Sequence, residues 1–360
     1  MAEQDDDYRP MGLKAGWAFS KGANDMGYRV AVLMGGQSFE REFSLASGKN
    51  VCEILERAGH DVIPLDTTED LVETLRGEKV DVAYVALHGR HGEDGTIQSL
   101  LDLLNIPYVG CTAPVCRMTR NKSNIEHVVE ACRLQKGIGA QDGPASWPEE
   151  VCIAIDAFKQ MGAAGALDLV AARFDGFPLV VKPACGGSAL GLHKVKSADD
   201  LAPAILDALS YDNEVIIGQW IDGVELGISI VENADGGLDV LPPVEICTAH
   251  EYFDTSDRLD SDGVSFYAPP RRESLAFDEN RAAEIEEEAK AAAAEVFSAF
   301  GCRDIARVDL IWNGSRAKVI EVDVSPGMSR HSLLPAACDA AGIDLGELLT
   351  SLLARAIDRQ

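Results

Sequence analysis

The 360-residue sequence has little positive charge: 32 Lys and Arg stand against 59 Asp and Glu, a formal net charge of −27. No stretch concentrates the basic residues, so nucleic acid and anionic membrane surfaces are poor partners. No signal peptide is present, and no apolar run is long enough to cross a bilayer. The nine cysteines (Cys52, Cys111, Cys116, Cys132, Cys152, Cys185, Cys247, Cys302 and Cys338) are odd in number and include no CxxC pair. They read as small buried apolar residues in a reducing cytoplasm, not as a disulfide or zinc framework. Also missing are a Walker A loop, a GxGxxG after a strand, a GxSxG elbow and any internal repeat. What remains is a globular composition, 46% hydrophobic and 25% charged, in a chain long enough for two or three domains. An acidic protein of this kind binds phosphates only with a few placed Lys or Arg and a divalent ion.

The richest chemistry lies in residues 306–332. Two alternating runs flank Asn313-Gly314, which predicts a β-hairpin. With Asp309 opposite Glu321, the loop is Gly314, Ser315 and Arg316. One face then carries Val308, Leu310, Trp312, Ile320 and Val322, the other Arg307, Asp309, Glu321 and Asp323. Opposed side chains on one face lie about 4.5–5.5 Å apart at Cβ. Three carboxylates so close repel, and at least one takes up a proton unless a cation sits between them. An all-oxygen set without His or Cys suits Mg²⁺ or Mn²⁺; a solvated strand face is the alternative. Ser325-Pro326-Gly327-Met328 offers backbone N–H groups at a tight turn beside Ser329 and Ser332, an anion cradle next to a cation site.

Along the chain, residues 1–27 open with Glu3-Gln4-Asp5-Asp6-Asp7 and predict a mobile extension; Met26 is a conceivable internal start. Strand-like runs at 29–34, 61–65, 80–87 and 107–110 alternate with helical segments through Val51–Leu55, Leu71–Leu75 and Thr96–Leu104. This predicts an α/β, doubly wound sheet with ligands beyond the carboxyl ends of its strands. Two polar loops lie there, Gly35–Glu42 and His88–Gly95. Residues 117–134 read as one helix carrying Lys122, and 135–178 as a linker with a helix near 151–172. The strand Phe177–Lys182 runs into Pro183-Ala-Cys-Gly-Gly-Ser-Ala-Leu-Gly191, in form a phosphate-covering loop. Cys185 in that loop has only His193 nearby as an activating base, so a structural role outweighs a nucleophilic one. A helix at 201–209 and antiparallel strands at 215–220, 225–231 and 238–241 give the C-terminal half an α+β character. The long polar loop 250–272 reads as a lid. Helices at 278–300 and 346–357 flank the hairpin.

Five ordered motifs carry a resemblance: Gly35–Leu45; Leu87-His88-Gly89 with Gly92-Glu93-Asp94-Gly95; Val181-Lys182-Pro183 with Gly187-Ser188; Arg307-Val308-Asp309; and Glu321–Ser332. Over roughly residues 28–357 the chain resembles the D-alanine–D-alanine ligases of the ATP-grasp superfamily. The resemblance implies a Rossmann-like N-terminal domain (28–116) and a two-part ATP-grasp fold (117–218 and 219–360) with ATP between its parts. It implies a cytoplasmic homodimer that uses ATP and two Mg²⁺ or Mn²⁺ to join D-amino acids through an acyl phosphate for peptidoglycan precursors. By motif position, Glu42, His88 and Ser188 hold the first substrate and Ser332 the carboxylate of the second. Lys122, Lys182, Gly187, Ser188, Glu225 and the lid's Arg258 hold ATP, with Arg258 also near the substrates. Asp309, Glu321 and Asp323 hold the metals, and Arg307 and the Gly327 N–H stabilise the oxyanion. Four positions depart from the family pattern: Asp323 stands for Asn, Gly218 for the adenine-hinge Glu, Asn121 for Asp, and Arg258-Leu259 for a lid Lys-Tyr pair. Leucine cannot hydrogen-bond, which leaves open a different second substrate (D-lactate, D-serine or another amino acid) or an ATP-binding protein without turnover.

Overall fold

A computed structural model describes residues 27–67, 70–233, 235–249 and 263–359. The predicted extension at 1–27 lies outside the described residues but for Gly27, as do Arg258, Leu259 and the lid up to residue 262. Three sheets organise the chain. The first is parallel, in the order β2-β1-β3-β4, from β1 (Arg29–Met34), β2 (Asp61–Asp66), β3 (Val82–Val85) and β4 (Tyr108–Val109). Helices α1 (Arg41–Arg57), α2 (Leu71–Glu78) and α3 (Thr96–Leu104) connect them. β1 is an unbroken apolar run because both its faces are covered. Val30 and Val32 pack with Val51 and Leu55 of α1, whereas Ala31 and Leu33 pack with Leu75 of α2 and Leu101 of α3.

The second sheet is antiparallel, in the order β5-β8-β6-β7, from β5 (Glu150–Ala154), β6 (Leu179–Pro183), β7 (His193–Val195) and β8 (Glu214–Gln219). Two further helices, Ile155–Arg173 (kinked at Gly162) and Ala198–Ala208, cover one face of it and bury Leu179, Val181 and Ile217. β5 falls inside the segment read as linker. It is short and partly exposed, with the burial pattern of an edge strand.

The third sheet holds β9 (Val224–Glu232), β11 (Val244–Thr248), β12 (Val264–Tyr267), β13 (Ile305–Trp312) and β14 (Ala317–Asp323), with β10 (Leu238–Val240) paired to β9. β12 lies inside the stretch read as one loop, 250–272, and a short helix, Arg272–Leu275, begins at its last residue. The hairpin β13–β14 forms with Asp309 opposite Glu321, as its spacing predicts. Beyond that pair the register slips, and Leu310 faces Val319. Ile320 is thus the extra residue of a β-bulge, so Val319 takes the core place expected for Ile320, and Ile320 lines the central cavity. The turn is correspondingly longer, with Trp312 paired to Ala317.

Packing does not follow chain order. The segment read as one helix is two, α4 (Ala113–Arg120) and α5 (Asn124–Gln135), and Lys122 sits in the break between them. Buried Val115, Ile125 and Val129 pack on the third sheet and on the long helix Glu279–Phe300. The last two helices, Leu333–Ala341 and Leu345–Asp358, return to the first sheet, where Leu349 and Leu353 join Val30 and Val82. One carboxylate fastens this return. Asp304 is fully buried; it accepts from the Gly110 N–H at 2.8 Å and from Arg359 at 2.5 and 2.7 Å. Its backbone is left-handed, φ +61°, a conformation Asp and Asn tolerate. Asp304→Asn keeps that backbone and removes the charge. It should cost about 1–3 kcal/mol, because Asp304 is buried but its Arg359 partner is partly exposed, read as a lower urea midpoint at unchanged m.

Candidate active site

The three sheets enclose a cavity of about 670 Å³. Every predicted site residue among the described ones lines it: Glu42, His88, Lys122, Lys182, Gly187, Ser188, Glu225, Arg307, Asp309, Glu321, Asp323, Gly327 and Ser332. The second sheet delivers Lys182 from the end of β6, alternating with Val181, which faces the core. Lys182 is 8% exposed, and its Nζ lies 2.7 Å from Glu150 Oε1. Lys122 reaches in from the helix break: its N–H donates to Ala184 O at 3.0 Å and its ammonium to Gly186 O. The same ammonium lies 3.2 Å from Glu321 Oε1. Asn121 shapes this break by accepting from the Ser123 N–H at 3.0 Å and donating to Glu214 at 2.9 Å. An aspartate at 121 would face the Glu214 carboxylate, which accounts for the amide there.

On the third sheet the expected repulsion among carboxylates is answered by cations. Arg307 Nε and Nη2 donate to both oxygens of Asp309 at 2.6 and 2.9 Å, and Nη1 lies 3.0 Å from Asp323 Oδ2. Burial opposes the Arg307 charge, but Asp309 and Asp323 outweigh it and fix the guanidinium charged. Asp323 is pushed up from the usual range by burial and by Glu93, against the pull of Arg307 and His88. Among the described residues no three His, Cys, Asp or Glu side chains are grouped to hold a metal ion by themselves. The donor set is still all oxygen, and Arg307 and Lys122 stand where cations are needed. That fits a Mg²⁺-type ion held by one or two carboxylates together with ligand phosphates, not a protein-only cage. Gly327 forms the turn next to Ser332; a Cβ there would lie 2.9 Å from Ser332 Oγ.

The first sheet brings a second carboxylate to the cavity beside the expected Glu42. Ser188 Oγ donates to Glu40 Oε1 at 2.6 Å, and Glu40 is 6% exposed, whereas Glu42 is exposed at the cavity's edge. Glu40 is the N-cap of α1, and Glu42, two residues on, projects from a different side of the helix. Two glycines make room for the Glu40 carboxylate. A Cβ on Gly89 would lie 2.2 Å from Oε2, and one on Gly187 would lie 2.6 Å from Oε1. Burial and the charge of Glu93 push Glu40 up, although the Ser188 hydroxyl, His88 and Arg120 act the other way. Glu93 and Arg120, to which the sequence reading gave no role, form the floor. Arg120 Nη1 donates to Glu93 Oε2 at 2.7 Å, and His88 Nδ1 lies 3.5 Å from Glu93 Oε1. His88 Nε2 meets Ser47 Oγ at 2.9 Å, and Ser47 accepts from the Met328 N–H at 3.1 Å, so the first sheet grips the turn that carries Gly327 and Met328. The surroundings of Cys185 favour the structural role: burial and Asp212 push its thiol up to about 11, and His193 pairs with Asp207 at 2.7 Å.

Sequence profiles of known families match here. That of the D-ala D-ala ligase N-terminus covers residues 70–111, and that of the D-ala D-ala ligase C-terminus covers residues 159–354. The chain belongs to the D-alanine–D-alanine ligase family. It is 35% identical over 330 residues to the D-alanine–D-alanine ligase of Pseudomonas entomophila, spanning 91% of this chain and 93% of that one. The ligase of Desulforamulus reducens is 34% identical over 335 residues, 93% of this chain and 100% of the other. Among solved structures, the D-alanine–D-alanine ligase of Bacillus anthracis superposes with a TM-score of 0.73 at 28% identity, covering 92% of this chain and 98% of that chain. The VanG D-Ala:D-Ser ligase of Enterococcus faecalis gives 0.72 at 26% identity, covering 92% and 100%. The ATP-grasp fold read from the motifs is the fold of these ligases.

The floor of the cavity carries its own test. Burial alone lowers the His88 pKa, but the Glu93 partner, with Asp323 and Glu40, raises it above the usual histidine value. With the folded value above the unfolded one, its stabilisation is complete below about pH 6.5 and fades as pH rises through the folded value. Glu93 itself is driven down to about 2: its own burial is outweighed by the His88 hydrogen bond and Arg120. In Glu93→Gln the His88 midpoint should fall, followed by NMR of the ring protons. An unchanged midpoint would show that Glu93 does not hold the imidazolium.

Proposed function

We propose that this protein is an ATP-dependent ligase that joins two D-alanine molecules into a dipeptide for cell-wall precursor synthesis. The observation that carries this reading is Glu40: a carboxylate in the cavity, pushed up by its own burial and by Glu93 despite His88 and Arg120, so that one further cation would hold it ionised. The α-ammonium of an amino acid supplies that cation, and Glu40 takes the part that the sequence reading gave to Glu42. Ser188 orients Glu40, and His88 completes the cradle. Lys122 and Lys182 bind the phosphates under the glycine loop, and Glu225 binds the ribose. The carboxylate oxygen of the first substrate attacks the γ-phosphorus, forming an acyl phosphate and releasing ADP. The amine of the second then attacks the acyl carbon, and collapse of the tetrahedral centre expels phosphate. Three of the five N–H donors of Arg307 face Asp309 and Asp323, so two remain for the oxyanion, together with the Gly327 N–H. Ser332 receives the carboxylate of the second substrate. Asp309, Glu321 and Asp323 are the groups to hold Mg²⁺ or Mn²⁺, which when bound neutralises phosphate charge. Among the described residues no helix is long and apolar enough to cross a membrane, and the nine thiols are free, which suits the cytoplasm.

The overall fold does not select the second substrate, since a D-Ala:D-Ala and a D-Ala:D-Ser ligase superpose almost equally well. The deciding experiment is phosphate release from ATP with D-alanine alone and paired with D-serine, D-lactate and L-amino acids. D-alanine alone should stimulate release with dipeptide as product. Stimulation by no acceptor pair would leave an ATP-binding protein without turnover.

Two further outcomes separate the assigned roles. Glu40→Gln should lower kcat/KM for the first D-alanine roughly 100-fold or more, because it leaves a buried ammonium unpaired. Glu42→Gln should stay within about 3-fold, as a surface substitution. Glu321→Gln should lower turnover roughly 100-fold at any Mg²⁺ concentration, because a neutral amide is a poor ligand for a hard cation. Asp323→Asn retains an oxygen and should recover in excess Mg²⁺. Full activity of Glu321→Gln at low Mg²⁺ would remove the carboxylate row from metal binding.

A further inference from the structure

The second sheet carries a row of residues beside the glycine loop that bears on where the base of a nucleotide would lie. Strand β6 runs directly into the glycine loop, with Lys182 at its end and Val180 two residues earlier; both line the cavity. With the triphosphate under the loop and at Lys182, the nucleoside extends back along β6, about 3.3 Å per residue, toward Val180. At that level the sheet presents a row: Val180 is opposite Gly218, and Gly218 is opposite Glu150. Gly218 contributes no side chain, so the Glu150 side chain lies over it, beside the aliphatic Val180. Trp220 and Ile221, just after β8, line the same cavity. Glu150 also fills the space that any side chain at 218 would need. A Cβ on Gly218 would lie 2.8 Å from Glu150 Cγ. A side chain at 218 would displace that of Glu150, so at this level of the sheet the carboxylate comes from β5.

We propose that Glu150 is the residue that reads the nucleotide base, accepting a hydrogen bond from the exocyclic amine of adenine and thereby selecting ATP over nucleotides with a 6-oxo base. The assignment rests on the reading of this cavity as an ATP site. One Glu150 oxygen holds Lys182 at 2.7 Å, and the carboxylate has acceptor capacity left for the amine. A 6-oxo base turns an acceptor toward the carboxylate, and the buried acceptors then lie unpaired. Glutamine at 150 reverses the discrimination, because its amide offers N–H donors.

Binding of ATP, inosine triphosphate and adenosine is measured by calorimetry on the full chain, and KM and kcat for the two triphosphates are measured alongside. In Glu150→Gln the preference for ATP over inosine triphosphate should fall at least ten-fold, mostly in KM. Adenosine, which has no phosphate for Lys182 to hold, should bind more weakly in Glu150→Ala. The double variant Glu150→Ala with Gly218→Glu removes the Cγ contact, leaves the Glu149 carbonyl 3.0 Å from the new Cβ to give by a few tenths of an ångström, and returns a carboxylate to this level of the sheet, so it should restore the preference. Equal losses for ATP and inosine triphosphate with adenosine binding unchanged would mean that Glu150 only positions Lys182, and would overturn the proposal. The binding arm contains no amino acid. Selectivity that depends on Glu150 without ligation would sink the ligase reading and leave this inference standing; ligation with selectivity indifferent to residue 150 would do the reverse.

Discussion

The guanidinium of Arg307, buried between Asp309 and Asp323, is the contact on which the rest of the cleft depends. Carboxylates removed from water need a fixed cation or a proton. In a chain with 59 acidic and 32 basic residues, the basic side chains in the cleft are therefore placed one by one. Arg307 serves two carboxylates, Lys122 lies against Glu321, Lys182 against Glu150, and Arg120 and His88 share Glu93. Buried pairs of this kind add little net stability compared with apolar residues of the same volume. Their value is geometric. They hold donors and acceptors at set positions before a charged ligand arrives, so little reorganisation accompanies its binding.

That array constrains the backbone around it. Opposing Asp309 to Glu321 while keeping Val319 and Leu310 in the core requires one residue too many on β14, and the bulge at Ile320 absorbs it. Bringing the Glu40 carboxylate against Ser188 requires two glycines, at 89 and 187, where a Cβ would collide with it. The third requirement is that three sheets meet with little play. The last helices satisfy it by doubling back from the third sheet to the first, pinned where Asp304 joins Gly110 and Arg359.

Much of this was legible in the sequence wherever one local pattern decided the outcome. Continuous apolar runs marked the parallel strands because helices cover both their faces, as at Val30 and Leu33. Period-two alternation placed Arg307, Asp309, Glu321 and Asp323 on the cavity side, and Lys182 at a strand end. What escaped depends on contacts distant in sequence. The break at Lys122 exists because Asn121 bonds Ser123 and Glu214, 93 residues away, and no helix-breaking residue announces it. β5, β11 and β12 are short strands whose partners, not their composition, make them strands. Glu40 and Glu42 both sit at a helix start, and only the positions of Gly89 and Ser188 show which one turns inward.

The row Glu150–Gly218–Val180 shows why a departure from a motif has to be read together with its cross-strand neighbours. Directly opposed residues in an antiparallel pair have Cβ atoms about 4.5–5.5 Å apart, less than the reach of a glutamate side chain. A carboxylate can therefore leave one strand and return from the next with its oxygens in the same volume, provided the vacated position loses its Cβ. Both conditions are met: residue 218 is glycine, and Glu150 Cγ occupies the freed space. The unit to read is the cross-strand pair, and a sequence shows it only once the register of the two strands is known.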